Sequence, residues 1–322
     1  MRLKINCSLF FFFLVCLIPQ FTFAAFRNTD YKIVKILAIG NSFSADAIEQ
    51  NLYDLAKEKN IKVVIANLYI GGAPLTLHVK NAEENKPAYS YRKTSIDGTK
   101  STTEKVSIET ALNDEVWDYI SFQQASPLSG QIQTIEASLP ALFTYVKNRT
   151  KNPNVRFVYH QTWAYAQNAK HTGFANYDRD QQKMYEAITD VAKQVNKVVP
   201  IDLVVPAGTA IQNARTSYIG DHFDRDGYHL RVPLGQYVAA CTWFEKLFGT
   251  SVVGMQFKPE GMTESEKIVA QKAAHAAVKR PFKISRLKKY STGSKRINVK
   301  TTAHVLPILR LSYSNSLAIQ TQ

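Results

Sequence analysis

Short apolar, β-prone runs alternate along this chain with segments in which apolar residues recur at helical spacing. The β-prone runs lie at 35–39, 61–70, 117–122, 155–159 and 200–205, and the helical segments lie at 45–59, 132–147, 180–195, 233–248 and 263–279. Strands that alternate with helices usually pair in parallel, because each helix carries the chain back to the same edge of the sheet. The alternation therefore predicts an α/β fold around a central, mostly parallel sheet of five strands.

One segment interrupts this alternation. Residues 89–106 alternate polar and β-prone side chains around Asp97 and Gly98, a dipeptide that favours a tight hairpin turn. The pattern predicts a β-hairpin inserted at the rim of the sheet, where insertions often shape access to a site.

The N-terminal segment, residues 1–24, has the three parts of a secretory signal peptide. Two basic residues come first, an apolar run occupies 9–18, and a small-residue cleavage site ends at 22–24. The apolar run is shorter than the roughly 20 residues of a membrane-spanning helix. It therefore predicts a cleaved signal, a secreted or periplasmic protein and no stable membrane span, with an uncleaved anchor as the alternative. Lipid anchoring is disfavoured, because Val15 precedes Cys16 where a lipoprotein signal has a small residue.

The net charge of +14 is distributed unevenly. Residues 284–322 contain seven basic residues and no acidic one, so we predict a folded domain at 32–283 followed by a basic tail at 284–322. A basic run can bind nucleic acid or an anionic surface, but it is more often a solvated tail. The predicted domain shows no basic platform interleaved with aromatic residues, so we expect no nucleic-acid partner.

Two short motifs carry the chemistry that the sequence predicts. Gly-Asn-Ser-Phe-Ser at 40–44 follows the first predicted strand, and Asp-Gly-Tyr-His at 226–229 precedes a late helix. Ser42 can act as a nucleophile, His229 can take its proton, and Asp226 can orient the imidazole. Each motif has a structural alternative, a serine helix cap for the first and a turn for the second. The chain order Ser, Asp, His favours the catalytic interpretation.

Small, polar and aromatic residues follow several predicted strands directly. In open parallel sheets, the loops at the carboxyl ends of the strands meet at one edge and form the site. We therefore expect one site around the following residues: Ser42, Gly71, Gly72, Gln123, Gln124, Thr162 and Trp163.

These motifs resemble those of the SGNH/GDSL hydrolases. Residues 40–42 resemble their first block, residues 226–229 match their Asp-x-x-His block, and Gly71 or Gly72 lies where their second-block glycine is expected. More closely, the chain resembles a secreted bacterial branch of that superfamily that is known as a domain of unknown function. The shared stretches are 39–44, 67–72, 117–120 with Gln123, 162–165 and 225–230. The resemblance implies a three-layer, flavodoxin-like α/β/α sandwich with Ser42 as nucleophile.

The third block departs from the pattern of the superfamily. It normally supplies an asparagine that donates to the oxyanion, whereas the corresponding strand here ends in Gln-Gln-Ala-Ser at 123–126. We expect the amide of Gln123 to donate instead, with Gln124 or Ser126 as alternatives. The predicted oxyanion hole then comprises the backbone N–H groups of Ser42 and of Gly71 or Gly72 and the side chain of Gln123.

Polar and aromatic residues after the third and fourth predicted strands indicate substrate contacts. The predicted pocket wall consists of Gln124, His160, Trp163, Tyr165 and His171. Aromatic faces suit a sugar ring, and packing within a loop is the alternative for each residue. The sequence has no His-Glu-x-x-His motif, no clustered metal-ligand spacing and no glycine-rich phosphate loop, so we expect neither a metal nor a cofactor.

Together these features predict a secreted serine esterase that uses Ser42, Asp226 and His229. The expected substrate is a small-molecule or glycan ester, most specifically an O-acyl group, such as acetyl, on a carbohydrate. A lipid or aryl ester is the alternative substrate. A glycan-binding protein that retains the fold without catalysis is the alternative function, since glutamine stands where the superfamily has the oxyanion asparagine.

Overall fold

The computed structural model describes residues 33–290. In this range, seven strands form one sheet: β1 (Val34–Gly40), β2 (Val63–Tyr69), β3 (Tyr89–Thr94), β4 (Lys100–Val106), β5 (Tyr119–Phe122), β6 (Arg156–His160) and β7 (Leu203–Val205). Their order in the sheet is β4-β3-β2-β1-β5-β6-β7. Five strands pair in parallel, namely β2, β1, β5, β6 and β7, whereas β3 pairs antiparallel with both β2 and β4. The protein is therefore an α/β fold with a mostly parallel sheet, as predicted.

The predicted count of five strands is wrong. The hairpin segment does not stand apart from the sheet, since β3 pairs along the free edge of β2 with Asn67 opposite Arg92 and Tyr69 opposite Ser90. An unpaired strand edge leaves a row of N–H and C=O groups without partners, and the hairpin satisfies them. The sheet consequently has seven strands.

Ten α-helices are present among the described residues: α1 (Ser42–Ile48), α2 (Leu52–Glu58), α3 (Leu75–Glu83), α4 (Ile108–Asp114), α5 (Ile132–Glu136), α6 (Leu139–Lys147), α7 (Gln181–Val198), α8 (Ala207–Arg215), α9 (Leu234–Phe248) and α10 (Glu264–Lys279). The predicted helix at 132–147 is divided into α5 and α6. Pro140 lies in the first turn of α6. Proline lacks the N–H that a continuous helix would need at this position, so a new helix begins here instead. The predicted helix at 45–59 is likewise divided into α1 and α2.

The sheet is buried on both faces. Along β1, Ile36 and Ala38 belong to one hydrophobic cluster, whereas Leu37 and Ile39 belong to the other, because successive side chains of a strand point to opposite faces. Residues of α1, α2, α8, α9 and α10 contribute to the first cluster, and residues of α3, α4 and α6 contribute to the second. Helices therefore cover both faces and leave the ends of the strands for the site.

The described chain continues beyond the predicted domain end at residue 283. Ser285 donates its N–H to Asn213 Oδ1 at 2.6 Å, and Leu287 donates to Thr216 Oγ1 at 2.9 Å. Residues 284–290, which were predicted as the start of the tail, thus contact the domain. The predicted signal peptide at 1–24 and the rest of the tail, 291–322, lie outside the described residues. Within 33–290, no helix has both the length and the apolar composition that crossing a membrane requires.

Candidate active site

Ser42 lies at the junction between β1 and α1. The cap of α1 is Asn41, whose Oδ1 accepts the N–H of Phe43 at 3.0 Å and whose Nδ2 donates to the carbonyl of Ala73 at 3.1 Å. Gly40 is required just before it, since a Cβ at that position would collide with Ser44. Because Asn41 supplies the cap, the hydroxyl of Ser42 does not serve that purpose.

The structure brings Ser42, His229 and Asp226 into one chain of hydrogen bonds. The Nε2 atom of His229 lies 2.9 Å from the Oγ of Ser42, and its Nδ1 lies 2.6 Å from Asp226 Oδ2. Ser42 and His229 are 187 residues apart in the chain. Tertiary folding therefore brings a hydroxyl, an imidazole and a carboxylate together in the order that a nucleophile, its base and an orienting group require.

The local turn around Asp226 orients its carboxylate. Asp226 Oδ1 accepts the backbone N–H groups of Tyr228 at 3.1 Å and His229 at 2.8 Å. Burial opposes the charged form, but the hydrogen bonds from His229 and Tyr228 outweigh it, so the pKa of Asp226 is lowered from its ordinary value. A charged carboxylate at Nδ1 holds the imidazole proton there and leaves Nε2 as the acceptor that faces Ser42.

A buried carboxylate, Asp46, joins the two segments that carry Ser42 and His229. It lies on α1, is 5% exposed, and accepts the N–H of Leu230 at 2.8 Å, the guanidinium of Arg225 at 3.1 Å and the amide of Gln236 at 2.8 Å. Arg225 in turn donates its backbone N–H to the carbonyl of His229. The sequence analysis missed Asp46, although an acid one turn after the serine was the available signal.

A cavity of about 340 Å³ opens in front of Ser42 and His229. Its lining residues are Asn41, Ser42, Phe43, Tyr69, Gly71, Gly72, Ala125, Ser126, Pro127, His171, Tyr228 and His229. Within residues 33–290, the backbone N–H groups of Ser42, Gly71 and Gly72 make no hydrogen bond. The cavity therefore combines the hydroxyl of Ser42 with N–H groups that are available to a ligand oxygen.

The structure corrects four members of the predicted pocket wall: Gln124, His160, Trp163 and Tyr165. These four side chains are at most 1% exposed and line no part of the cavity. The walls are formed by His171, which the prediction included, and by Tyr69, Pro127 and Tyr228, which it omitted. Aromatic composition alone does not distinguish a ring that packs inside a loop from one that faces a ligand.

The four buried side chains support the site from beneath. Trp163 stacks on Phe43 with ring centroids 4.3 Å apart, and its indole N–H donates to the carbonyl of Tyr228 at 2.7 Å. Tyr165 bonds Ser126 through their hydroxyls, and Gln124 accepts the N–H of Leu75 at the start of α3. Trp163 thus contacts Phe43, which follows Ser42, and Tyr228, which precedes His229.

Gln123 lies below the nucleophile turn and does not line the cavity. It is 2% exposed, its Nε2 donates to Asn41 Oδ1 at 2.7 Å, and its Oε1 lies 2.8 Å from His160 Nδ1. Burial lowers the pKa of His160 to about 3, so its ring is neutral and donates from Nδ1. Of the three side chains predicted as oxyanion donors, Gln123 and Gln124 are buried in structural hydrogen bonds and Ser126 reaches the cavity.

Titratable and thiol side chains do not cluster into a metal site in the part of the chain that the structure describes. No group of three or more His, Cys, Asp or Glu residues there has the arrangement that could hold an ion.

A family model, "Domain of unknown function (DUF4886)", matches residues 35–277. The chain belongs to this family. A solved DUF4886 family protein from Bacteroides uniformis is 51% identical, with a TM-score of 0.79, over 80% of this chain and 100% of that chain. The predicted membership of a family of unknown function is therefore confirmed. A comparison with curated proteins found no match to the chain.

More distant solved structures share less of the fold with this DUF4886 protein. A proposed SGNH hydrolase from Slackia heliotrinireducens is 20% identical, with a TM-score of 0.42, over 67% of this chain and 99% of that chain. A mutant acetyl-xylooligosaccharide esterase from Geobacillus stearmophilus is 13% identical, with a TM-score of 0.42, over 66% of this chain and 93% of that chain. Similarity at this level carries no information about the reaction, which has to be inferred from the site.

Proposed function

We propose that this protein is a serine esterase of SGNH type. The observation that carries the proposal is the chain of hydrogen bonds from Asp226 through His229 to Ser42 at the surface of the cavity. A serine hydroxyl is a weak nucleophile unless an adjacent base takes its proton. Here the base is within hydrogen-bond distance and is itself oriented by a carboxylate.

The reaction proceeds through an acyl-enzyme. Ser42 Oγ attacks the ester carbonyl carbon while its proton moves to His229 Nε2. The tetrahedral intermediate then collapses, the ester C–O bond breaks, and the departing alcohol takes the proton from His229. Water next attacks the acyl-Ser42 ester, giving its proton to His229, and the acid leaves as Ser42 regains its proton. Asp226 stabilises the imidazolium in both steps.

Backbone N–H groups form the proposed oxyanion hole. Those of Ser42, Gly71 and Gly72 border the same cavity and make no hydrogen bond within the described residues. We assign Gln123 an indirect part, since its amide holds Asn41 at the start of the helix that carries Ser42. Donors of this kind, when placed in advance, are each worth about 10²–10³ in turnover.

The proposed substrate is a short O-acyl ester, such as an acetyl group, on a carbohydrate. The cavity of about 340 Å³ is at the small end of the range for ligand pockets, which is roughly 300–1,000 Å³. It is bounded by the rings of Tyr69 and Tyr228 and by the small residues Gly71, Gly72 and Ala125. This combination suits a small acyl group beside an amphipathic ring. Export through the signal peptide at 1–24 is part of the proposal and rests on the sequence.

The test is covalent labelling of the purified protein with a fluorophosphonate, which reacts with an activated serine. We expect one adduct by intact mass, and peptide mapping should locate it on Ser42 and not on the nearby Ser44 or Ser126. Hydrolysis of p-nitrophenyl acetate should be lost in proportion to labelling. A folded protein that neither reacts with the probe nor turns over this ester would refute the proposed activity.

Asp46→Asn is expected to lower kcat about 100-fold, because a displacement of about 1 Å in a catalytic constellation can cost that much. Asp46 accepts hydrogen bonds from Leu230, Arg225 and Gln236. The NH₂ group of an asparagine would face one of these donors and could not accept its hydrogen bond. The segment that carries His229 would then move relative to Ser42. Rates with p-nitrophenyl acetate and thermal unfolding should be measured on the same preparation.

A matched control for Asp46→Asn is Glu245→Gln. Glu245 is also 5% exposed and accepts the N–H of Val252 and a hydrogen bond from His275, but it is not part of the cavity. It should lose stability with little change in kcat of the folded protein. Equal losses of kcat in both variants, or wild-type kcat in Asp46→Asn, would show that Asp46 does not position the site.

A further inference from the structure

A second histidine, His171, lines the same cavity as Ser42 and His229. It precedes the 3-10 helix Thr172–Tyr177 and caps it with its own side chain. The reaction described above gives this histidine no task. Its ring is nevertheless held in one orientation by the surrounding residues.

Two kinds of contact fix the His171 ring. Its Nδ1 accepts the backbone N–H of Gly173 at 3.0 Å and lies 3.4 Å from the hydroxyl of Tyr165. Its ring packs against that of Tyr228 in an edge-to-face arrangement, with ring centroids 4.9 Å apart and planes at 69°. Gly173 has no room for a side chain, since a Cβ there would collide with Pro127. The loop that presents His171 is therefore closely packed.

The hydrogen bond at Nδ1 determines the tautomer. A ring nitrogen that accepts from a backbone N–H has no proton of its own, so the neutral ring carries its proton on Nε2. Burial and the neighbouring His229 lower the pKa of His171, with Asp226 acting weakly in the opposite direction, so the neutral form prevails at neutral pH. Nε2 makes no hydrogen bond within residues 33–290. His171 thus has one N–H donor to offer to a ligand.

The position of His171 indicates which part of a substrate it meets. Tyr228 contacts both histidine rings, with centroids 4.2 Å from His229 and 4.9 Å from His171. In the proposed reaction, the departing alcohol takes its proton from His229, so the alcohol part of the ester lies on this side of the cavity. His171 and Tyr228 therefore border the space of the alcohol and not that of the acyl group.

We propose that His171 is a specificity-determining residue, whose Nε2–H donates a hydrogen bond to an oxygen on the alcohol part of the ester. The proposal rests on the proposed esterase function. The oxygen would be a ring oxygen or a neighbouring hydroxyl, as in a sugar or another polyol. Esters of polyols are then favoured over esters of alcohols that carry no second oxygen.

The experiment compares two substrates with the same acyl group, a monoacetylated methyl xyloside and cyclohexyl acetate. His171→Asn keeps a good helix-capping side chain, and His171→Phe keeps a ring that can pack on Tyr228. We expect both variants to lose about 10-fold in kcat/KM on the xyloside ester, as the loss of one hydrogen bond implies. The kcat/KM on cyclohexyl acetate and the rate of fluorophosphonate labelling should stay within about twofold of wild type. His222→Asn, at an exposed histidine outside the cavity, should leave kcat/KM on both substrates unchanged.

Two results would overturn the role of His171. The preference for the xyloside ester could be unchanged in both variants, or both esters could lose kcat/KM equally. If labelling succeeds in wild type while the preference is unchanged, only the role of His171 fails. If wild type neither labels nor hydrolyses either ester, the esterase proposal fails and the role of His171 fails with it.

Discussion

Ser42→Ala is expected to reduce kcat for ester hydrolysis by about 10⁴–10⁶-fold, the loss that follows removal of the nucleophile from a serine triad. The methyl group cannot form the acyl-enzyme, and His229 then has no hydroxyl to deprotonate at 2.9 Å. The residual rate should come from binding and from the N–H groups around the cavity. Steady-state hydrolysis of p-nitrophenyl acetate, together with intact mass after fluorophosphonate treatment, measures the effect.

Ser44→Ala is the matched control for this variant. Ser44 is two residues away and 1% exposed, and its hydroxyl bonds the carbonyl of Asn41 and the side chain of Asn67. Its loss should cost about 1 kcal/mol of unfolding free energy while labelling persists. If Ser42→Ala kept the wild-type rate and adduct, the nucleophile would lie elsewhere, and Ser126 in the same cavity would be tested next.

Asp226→Asn is expected to lower kcat by about 10⁴-fold, as removal of the orienting charge does in serine triads. The asparagine oxygen can still accept the N–H groups of Tyr228 and His229, which fixes its NH₂ toward His229 Nδ1. An N–H donor there forces the imidazole proton onto Nε2. The ring then has no lone pair for the proton of Ser42. The measurement is kcat with p-nitrophenyl acetate.

Acid unfolding gives a second measurement on Asp226→Asn. The folded pKa of Asp226 is below its ordinary value, so the charged carboxylate stabilises the native state above its unfolded pKa. That contribution is lost as the pH falls through the folded pKa. Wild type should therefore lose more stability than the variant on acidification. A wild-type kcat in Asp226→Asn would contradict the orienting role of Asp226. Asp221→Asn, at a nearby carboxylate that accepts the N–H of Gln167, should leave kcat within a few-fold of wild type.

Local patterns were sufficient for much of the fold and part of the site. The alternation of apolar runs and helical segments predicted a mostly parallel sheet, because burial on both faces leaves a continuous apolar signal in strands such as β1. The Asp226 turn is also a short-range feature, since its carboxylate accepts N–H groups two and three residues ahead. The strand-exit position of Ser42 follows from the same patterns. These features depend on neighbours in the chain, which the sequence displays directly.

Contacts between distant segments were beyond such patterns. The hairpin at 89–106 was predicted as an insertion, but its place in the sheet depends on the free edge of β2. Gln123 was predicted at the cavity surface, yet Asn41 and His160 hold its amide below it. Both outcomes depend on which partners are near in space.

The sequence of this protein specified its α/β class, its family and the three residues of the proposed triad. The spacing of the apolar residues indicates the α/β class. Short motifs, whose hydrogen bonds are local, indicate the family and the triad. Tertiary packing specified which aromatic rings are buried under the site, as Trp163 is, and which face the cavity, as Tyr228 does. It also placed Asp46 between the segments of Ser42 and His229. The reason is that the exposure of a side chain is a property of everything packed around it, and segments far apart in the chain supply those neighbours.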